Sequence, residues 1–396
     1  MTISFRLRMV CLFMLAAGLV AMTASSQAAE SQVRVGLVEG VVSLTVSSAD
    51  ALSLRLPSGK SYRASGSVFI RRNANGWTLN DREVSDPQVR IVGQGEIIQL
   101  RAGKRADGSG EERTWQVLGP IELAAVGNGM TVISLVPLEE YVGGVVSGEV
   151  SPNWPLESLK AQAVAARTYV MYKKMENQQQ LFDVLASVQD QVYHGHSVRP
   201  ESIQQAIQST LGQVLTYDNR PIFAAYSSTA AGPTEDALYV WALDLPYLKG
   251  VACPFDEQAP RYEWQTAFTF DDLERQLRKE GYDVGTVATL TPYTLTPSGR
   301  VDRVRILHSK GEVILRGQDL RRVIGYSKIF STQFTIQKLG AEVVIVGRGA
   351  GHAVGLCQWG MREMANLGYD YQSILRHYYP GTTLLPLTRV LLTSAN

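Results

Sequence analysis

The sequence predicts an α+β protein, with a strand-rich N-terminal module followed by a mixed region of helices and strands. Before residue 137 the apolar residues come in short β-branched runs separated by turn residues, and after it helical periodicity begins. The 396 residues are 45% hydrophobic and 19% charged, which is typical of a folded chain of two to three domains. This composition excludes a disordered chain and a small disulfide-rich scaffold.

Residues 1–29 have the layout of a secretory signal peptide. Arg6 and Arg8 precede an uncharged apolar run, and small residues follow that run. Because the run is shorter than the roughly 20 apolar residues that span a bilayer, we expect cleavage near Ala28 or Ala29. The product is then an exported protein, periplasmic or associated with the cell wall, without an integral membrane span. A retained N-terminal anchor is the alternative.

The charge balance excludes one class of partner. Lys plus Arg number 38 and Asp plus Glu 37, so the net charge is +1, and no long run of like charge occurs. A nucleic-acid-binding domain carries a basic patch or stripe. We therefore expect no nucleic-acid partner.

Residues 30–136 are predicted to form the strand-rich module. Turn sequences such as Asn75-Gly76 separate its strands. The predicted strands span 33–38, 41–46, 89–92, 97–101, 115–118 and 130–136. This module contains no cluster of reactive side chains.

Residues 137–385 are predicted to form the mixed region, and residues 386–396 a C-terminal tail. Pro155 suits the first turn of a helix because its missing N–H is not needed there, and Asp370 is a candidate cap for the last helix. The predicted helices span 156–174, 200–211, 358–366 and a segment from Asp370 to Pro380, and the predicted strands span 213–217, 221–226, 301–307, 312–315 and 342–346. A strand followed by a helix is predicted over 264–279.

Arg167 falls on the apolar stripe of the helix over 156–174. A cation on such a stripe snorkels to the surface or pairs with a carboxylate, and Asp190 and Glu235 are candidate partners. We therefore predict a structural ion pair for Arg167.

The glycine-rich segment 347–352 imitates a dinucleotide-binding turn. The motif needs glycine where His352 stands, together with a βαβ unit and an acidic residue about 20 positions later, which the end of the chain does not supply. We therefore expect no cofactor.

A metal site made from His194, His196, His352 and the cysteines is a weaker alternative. His194 and His196 would lie on one side of an extended segment, but no zinc-binding spacing occurs, so we expect no metal. Cys253 and Cys357 remain after signal cleavage, and their pairing in a disulfide stays open.

Glu149 is a candidate general acid at the junction between two helices. Its apolar neighbours would raise the pKa of its carboxyl by disfavouring the charged form, as such an acid requires near neutral pH. Direct pairing with Arg167 would lower that pKa, so we expect Arg167 to pair elsewhere. The alternative reading is a helix cap or a surface charge. The hydroxyls of 226–232 lack a Gly-x-Ser-x-Gly elbow, so turn hydrogen bonds or contacts to a sugar are expected of them.

One long block and several shorter ones carry a family resemblance. The long block runs from Leu138-Glu139-Glu140-Tyr141 through Glu149 and Trp154-Pro155 to Ala166-Arg167-Thr168-Tyr169, and the shorter ones are 190–195, 228–235, 349–360 and 377–382. In this order they resemble the SpoIID/LytB family of bacterial cell-wall proteins. The resemblance covers about residues 137–384.

The resemblance implies lytic transglycosylation of peptidoglycan strands stripped of their stem peptides, with Glu149 as the single general acid and base. One carboxyl suffices because the muramic C6 hydroxyl replaces a catalytic water and closes a 1,6-anhydro ring. The candidate sugar-binding residues are Gln162, Tyr169, Tyr193, Ser228, Thr229, His352 and Gln358. Glu149 is then expected to line a groove with the loop 226–234 and the segment around His352.

The LytB branch of the family implies a rival function, a non-catalytic peptidoglycan-binding protein that enhances an N-acetylmuramoyl-L-alanine amidase. A third hypothesis is a metal-dependent wall hydrolase that uses the three histidines named above.

This chain departs from the family pattern at several positions. Some members bind zinc with a histidine at the position of Ser227 and nearby cysteines, ligands that Ser227 and Ala230 do not supply, so no zinc is predicted. Ala231 and Ala353 replace usual glycines, and Cys357 replaces a usual serine, which weakens a hydrogen bond.

Overall fold

The computed structural model describes residues 32–94, 97–105, 107–339 and 342–394. The predicted signal peptide, residues 1–29, lies outside these ranges. Helices and strands are both abundant, so the predicted α+β class is confirmed. Among the described residues, no helix combines the length and the apolar character that crossing a bilayer requires.

Two large sheets form the N-terminal part. Their strands are β1 (Gln32–Val41), β2 (Ser43–Ser47), β3 (Leu52–Arg55), β4 (Ser61–Ala64), β5 (Ser67–Asn73), β6 (Gly76–Leu79), β7 (Arg82–Val84), β8 (Gln88–Gly93), β9 (Ile97–Ala102), β10 (Arg113–Leu118), β11 (Ile121–Val126), β12 (Gly129–Pro137) and β13 (Val184–Leu185). One sheet has the order β13-β1-β12-β11-β8-β3-β4 and the other β10-β9-β2-β5-β6-β7. All six predicted strands are present, and β3 to β7, β11 and β13 are additional.

The additional strands carry a weaker hydrophobic signal. In β5, Val68 and Ile70 are buried while Ser67, Phe69 and Arg71 are exposed, because successive side chains of a strand point to opposite faces. In the sequence, seven residues that alternate in this way, with Arg71 on the exposed face, resemble a polar loop as long as the partner strand is unknown.

The remaining elements complete the mixed region. The helices are α1 (Leu138–Glu149), α2 (Leu156–Glu176), α3 (Glu201–Ser209), α4 (Ala237–Trp241), α5 (Phe270–Lys279), α6 (Gly317–Ile324), α7 (Gln358–Asn366), α8 (Tyr371–Tyr378) and α9 (Leu387–Ser394). The strands are β14 (Gln213–Tyr217), β15 (Arg220–Pro221), β16 (Tyr226–Ser227), β17 (Glu263–Thr269), β18 (Val287–Leu295), β19 (Val301–His308), β20 (Gly311–Arg316), β21 (Gln333–Leu339), β22 (Glu342–Arg348), β23 (Leu356–Cys357) and β24 (Thr383–Pro386).

Several predictions for this region are confirmed and one is wrong. The predicted strand and helix over 264–279 are β17 and α5, and the Asp370 side chain caps α8 by accepting from the Ser373 backbone N–H at 2.7 Å. The strand predicted over 221–226 is wrong, because only its ends pair, in β15 and β16. The predicted tail 386–396 contains α9.

The main hydrophobic core runs from the N-terminal sheets into the helices. It joins Val33 and Val132 of the first sheet to Val142 of α1 and Val164 of α2. A second core lies among β17 to β22, α5 and α6, around residues such as Leu273. The predicted boundary between 136 and 137 stays a prediction; β12 leads directly into α1 there.

Candidate active site

A groove of about 710 Å³ lies where α1, the loop after β16 and the turn before β23 meet. It is lined by Glu149, by Tyr226, Ser227 and Ser228, and by His352, among others. The parallel pairing of β16 with β23 holds the two loop segments side by side. The expected juxtaposition of these three parts of the chain is therefore present.

Glu149 is the last residue of α1, and its carboxylate accepts two hydrogen bonds. Oε1 accepts from the Val192 backbone N–H at 2.9 Å, and Oε2 accepts from Nε2 of Gln358 at 3.1 Å. Burial raises the pKa of Glu149, and these two bonds together with the nearby His194 oppose the rise only in part. The carboxyl therefore keeps its proton to a higher pH than an ordinary glutamate.

Gln358 links Glu149 to a residue behind the groove wall. It is the first residue of α7, and its Nε2 also lies 3.4 Å from Oε1 of Gln162. Gln162 is fully buried on α2 and is not among the residues that line the groove. The geometry therefore makes Gln162 a support for Gln358 and not a surface for sugar.

The two tyrosines predicted to bind sugar lie in different places. Tyr169 lines the groove and donates its hydroxyl to Oδ1 of Asp190 at 2.8 Å. Tyr193 is buried, with its ring 5.2 Å from that of Tyr141, and does not line the groove. The prediction for Tyr193 is not supported by this position, because motif spacing does not reveal to which side a residue turns.

The two hydroxyl residues that were predicted to bind sugar, Ser228 and Thr229, also lie in different places. Ser228 lines the groove, whereas Thr229 is buried and donates its hydroxyl to Oδ2 of Asp256 at 2.5 Å. The Thr229 hydroxyl is thus engaged away from the groove, and its position does not support contact with sugar.

His352 lines the groove as a neutral imidazole. Its ring packs edge-on against Trp241 at 4.8 Å, and its Nδ1 accepts from the Val354 backbone N–H at 3.0 Å. Burial, assisted by the charge of Arg321, lowers the pKa of His352 to about 3. The ring is therefore uncharged at neutral pH.

Arg167 is fully buried and pairs with Glu139. Its Nε and Nη2 donate to the two carboxylate oxygens at 2.9 and 2.6 Å. Asp190 pairs instead with Lys173, and Glu235 accepts from Thr296 and a neighbouring serine. The candidate partners named from the sequence were wrong, although the ion pair is present and does not involve Glu149.

The three histidines do not form a metal site in the described part of the chain. His194 and His196 line a separate cavity of about 540 Å³ against β9 and β10, whereas His352 faces the groove. His196 is engaged by Glu140, with Nδ1 2.6 Å from the carboxylate. The hypothesis of a metal-dependent hydrolase built on these histidines is therefore wrong.

The zinc site attributed to some members of the resembled family does not fit this chain either. The Ser227 side chain is occupied, since its Oγ accepts from the Ala353 backbone N–H at 3.2 Å, and Ala230 offers no ligand atom. Cys253 and Cys357 are both buried free thiols in this structure.

Part of the groove lining comes from residues that the sequence analysis did not identify. They belong to the segment around the second core and to α4: Trp241, Arg261, Arg321, Tyr326 and Phe330. They form no local motif, and the only sequence signal is the presence of arginines and aromatic residues.

Arg261 brings a positive charge to this part of the groove lining. Its guanidinium lies 3.7 Å from the centre of the Phe330 ring, a cation–π contact, and its side chain is exposed. No carboxylate of the described residues forms an ion pair with it. Arg261 is thus a cation held in the groove without an anionic partner.

Comparison with known proteins places this chain among bacterial cell-wall and sporulation proteins. The family described as Stage II sporulation protein, SpoIID, matches residues 126–217, and a domain of unknown function, DUF8618, matches residues 249–355. The chain is 31% identical to the Stage II sporulation protein D of Bacillus subtilis over 67% of its length and 79% of that protein.

Two further relatives extend the comparison. An uncharacterized protein of Brachyspira hyodysenteriae is 32% identical over 82% of this chain and 83% of its own length. A Bacillus subtilis protein named amidase enhancer is 29% identical over 61% of this chain and 40% of its own length.

Proposed function

The chain belongs to the SpoIID/LytB family, and from that premise we propose that it is an exported lytic transglycosylase of peptide-stripped peptidoglycan. Its cell-wall relation follows from the family. The finer activity is supported by one observation above all, a groove-lining carboxyl whose pKa burial raises and which no basic side chain pairs with among the described residues.

Glu149 acts first as an acid in this proposal. Its protonated carboxyl donates to the glycosidic oxygen between N-acetylmuramic acid and N-acetylglucosamine as the bond to muramic C1 breaks. The raised pKa keeps the carboxyl protonated to a higher pH than that of an ordinary glutamate. Gln358 and the Val192 N–H hold the two oxygens in place through the bonds described above.

Glu149 then acts as a base. The carboxylate left by the first transfer accepts the proton of the muramic C6 hydroxyl, whose oxygen attacks C1 and closes the 1,6-anhydro ring. The two hydrogen bonds to the carboxylate stabilise this charged intermediate state. No second carboxylate and no hydrolytic water are needed, since the nucleophile belongs to the substrate.

Sugar contacts are assigned to the predicted residues that line the groove. Tyr169, Ser228 and His352 do so together with Gln358, whereas Gln162, Tyr193 and Thr229 are placed behind the surface. We propose that the last three act on substrate only through the residues they support.

The second candidate function is enhancement of a cell-wall amidase without catalysis. The relative named amidase enhancer favours it. A groove that binds stripped glycan serves either function, so the two differ in whether Glu149 transfers a proton.

The deciding experiment compares the wild type with Glu149→Gln on peptide-free glycan strands, with products identified by mass spectrometry. The amide keeps the size of the side chain but cannot donate a carboxyl proton. Anhydro-muramic ends from the wild type and none from the variant are expected, with binding to sacculi retained by both. Absence of products from the wild type, with stimulation of an amidase, would establish the second candidate instead.

A further inference from the structure

Three buried side chains far apart in the sequence meet behind the groove. Cys253, Asp256 and Cys357 are 3%, 1% and 1% exposed. One ligand atom of each, two thiol sulfurs and a carboxylate oxygen, lies within 4.8 Å of the other two. Cys253 precedes Asp256 by three positions, whereas Cys357 comes from the end of β23.

Asp256 is held as an acceptor by three donors to one of its oxygens. Oδ2 accepts from the Thr229 hydroxyl and from the backbone N–H groups of Ala230 and Ala231 at 2.5–2.8 Å. The same oxygen lies 3.2 Å from the Cys357 sulfur. These three donors fix the orientation of the Asp256 carboxylate beside the two sulfurs.

The other carboxylate oxygen of Asp256, Oδ1, is buried and has no hydrogen-bond partner among the described residues. Nearly all buried polar groups in folded proteins have a hydrogen-bond partner. A buried carboxylate oxygen without one is therefore expected to bind an ion or a water.

The backbone of α7 packs tightly against the two sulfurs. Gly360 lies against them, and a Cβ at that position would be 2.8 Å from the Cys253 sulfur and 3.3 Å from the Cys357 sulfur. The hydroxyl of Tyr378 is 3.3 Å from the Cys253 sulfur. A side chain at position 360 would therefore collide with the Tyr378 hydroxyl and the Cys253 sulfur, so only glycine lets α7 approach the cluster this closely.

We propose that Cys253, Asp256 and Cys357 form a structural binding site for a divalent zinc-class cation. Thiolates select zinc over harder cations, and the ligands of a tetrahedral zinc lie about 3.8 Å apart or less, so binding draws the three side chains slightly inward. Binding releases the two thiol protons to solvent. The buried guanidinium of Arg300, which interacts electrostatically with all three side chains, offsets part of their negative charge.

The site has a consequence for the groove. Cys357 is the N-cap of α7, and the next residue is Gln358, which bonds to Glu149. A cation at the cluster would tie the loop that carries Cys253 to the start of α7 and so fix Gln358. The cluster does not use Ser227, and it does not depend on the enzymatic activity proposed above.

The test uses the purified full-length chain and two readouts that need no activity. Zinc content is measured by inductively coupled plasma mass spectrometry after dialysis, and cobalt(II) is titrated into the metal-free protein. We expect one zinc per chain and a thiolate-to-cobalt charge-transfer band that one equivalent saturates. Asp256→Asn is expected to weaken cobalt binding at least tenfold, and His194→Asn, outside the cluster, to leave it unchanged.

Folding failure is separated from loss of the site by a measurement on the wild type alone. Zinc release should follow mercurial modification of the Cys253 and Cys357 thiols. A wild-type protein that contains no zinc and gives no cobalt–thiolate band would overturn the proposal. So would a Cys253–Cys357 disulfide found by mass spectrometry in protein recovered from an oxidising compartment.

Discussion

Both carboxylate oxygens of Glu139 accept hydrogen bonds from the buried guanidinium of Arg167, at 2.9 and 2.6 Å. The pair joins the start of α1 to the middle of α2, and a third guanidinium nitrogen donates to the Gln213 carbonyl at 3.1 Å. Arg167 is therefore neutralised at the opposite end of α1 from Glu149. This separation is what lets Glu149 keep a raised pKa so close to a helix that carries an arginine.

The Glu139→Gln variant should be strongly destabilised. It leaves the fully buried Arg167 charge uncompensated, which costs about 3 kcal/mol in the free energy of unfolding. Urea denaturation measures this value. The matched control is Glu112→Gln, which breaks the exposed pair with Arg101 and should change stability by less than about 0.5 kcal/mol. Equal effects of the two variants would contradict the structural role of Arg167.

Gln358→Met should move the alkaline limb of the pH profile upward. The Gln358 amide donates to the ionised carboxylate and so lowers the pKa of Glu149 in opposition to burial. Methionine has a similar length and no donor, so the protonated acid persists to higher pH. The pH dependence of kcat/KM on stripped glycan, which reports the free enzyme, measures the shift. Gln372→Met, on the exposed side of α8, is the control, and a limb that stays in place or moves down would refute the assignment.

We expect His352 to decrease the free energy of unfolding as the pH falls into the acid range. Its pKa is about 3 in the folded state, whereas the ordinary value is 6.5. As the pH falls below 6.5 the unfolded chain takes up a proton that the folded chain does not, so the free energy of unfolding decreases through this window. His352→Gln should flatten that slope in urea denaturation between pH 7 and 4. A histidine resonance of His352 that titrates near neutral pH by NMR would contradict this prediction.

Arg261→Gln should raise KM about tenfold for stripped strands and leave kcat nearly unchanged. Glycan strands without stem peptides expose the lactyl carboxylates of muramic acid. Arg261, which forms no ion pair with the described residues, can donate hydrogen bonds to one of these carboxylates in the groove. A hydrogen bond to a charged group contributes about 1.5 kcal/mol to binding. Steady-state kinetics measures the change. Strands with amidated lactyl groups should show no difference between wild type and variant.

The control for Arg261 is a neighbouring arginine outside the groove. Arg348 is exposed and paired with Glu263, so Arg348→Gln should leave KM unchanged. A variant of Arg261 that lowers kcat with KM intact would indicate a part in the chemical step and would contradict a binding role.

Part of the site could be predicted because its signals are local. Glu149 follows from a long motif that resembles a known family, and the cap of α8 follows from the Asp370 side chain, which accepts from a backbone N–H three positions away, that of Ser373. The β-rich start and the mixed remainder follow from periodicity. These features need no knowledge of what lies next to them in space.

The sequence by itself determined the fold class and the order of most elements, since these rest on neighbours within one turn or one strand, and it determined the position of the candidate acid through the resemblance of one long motif. Tertiary structure alone decided that Tyr193 and Thr229 are buried and that Glu139 pairs with Arg167. It also decided that Arg261 lines the same groove as Glu149 and that Cys253 lies close to Cys357. The physical reason is that each of these depends on contacts between segments distant along the chain, and such contacts exist only once the core has packed.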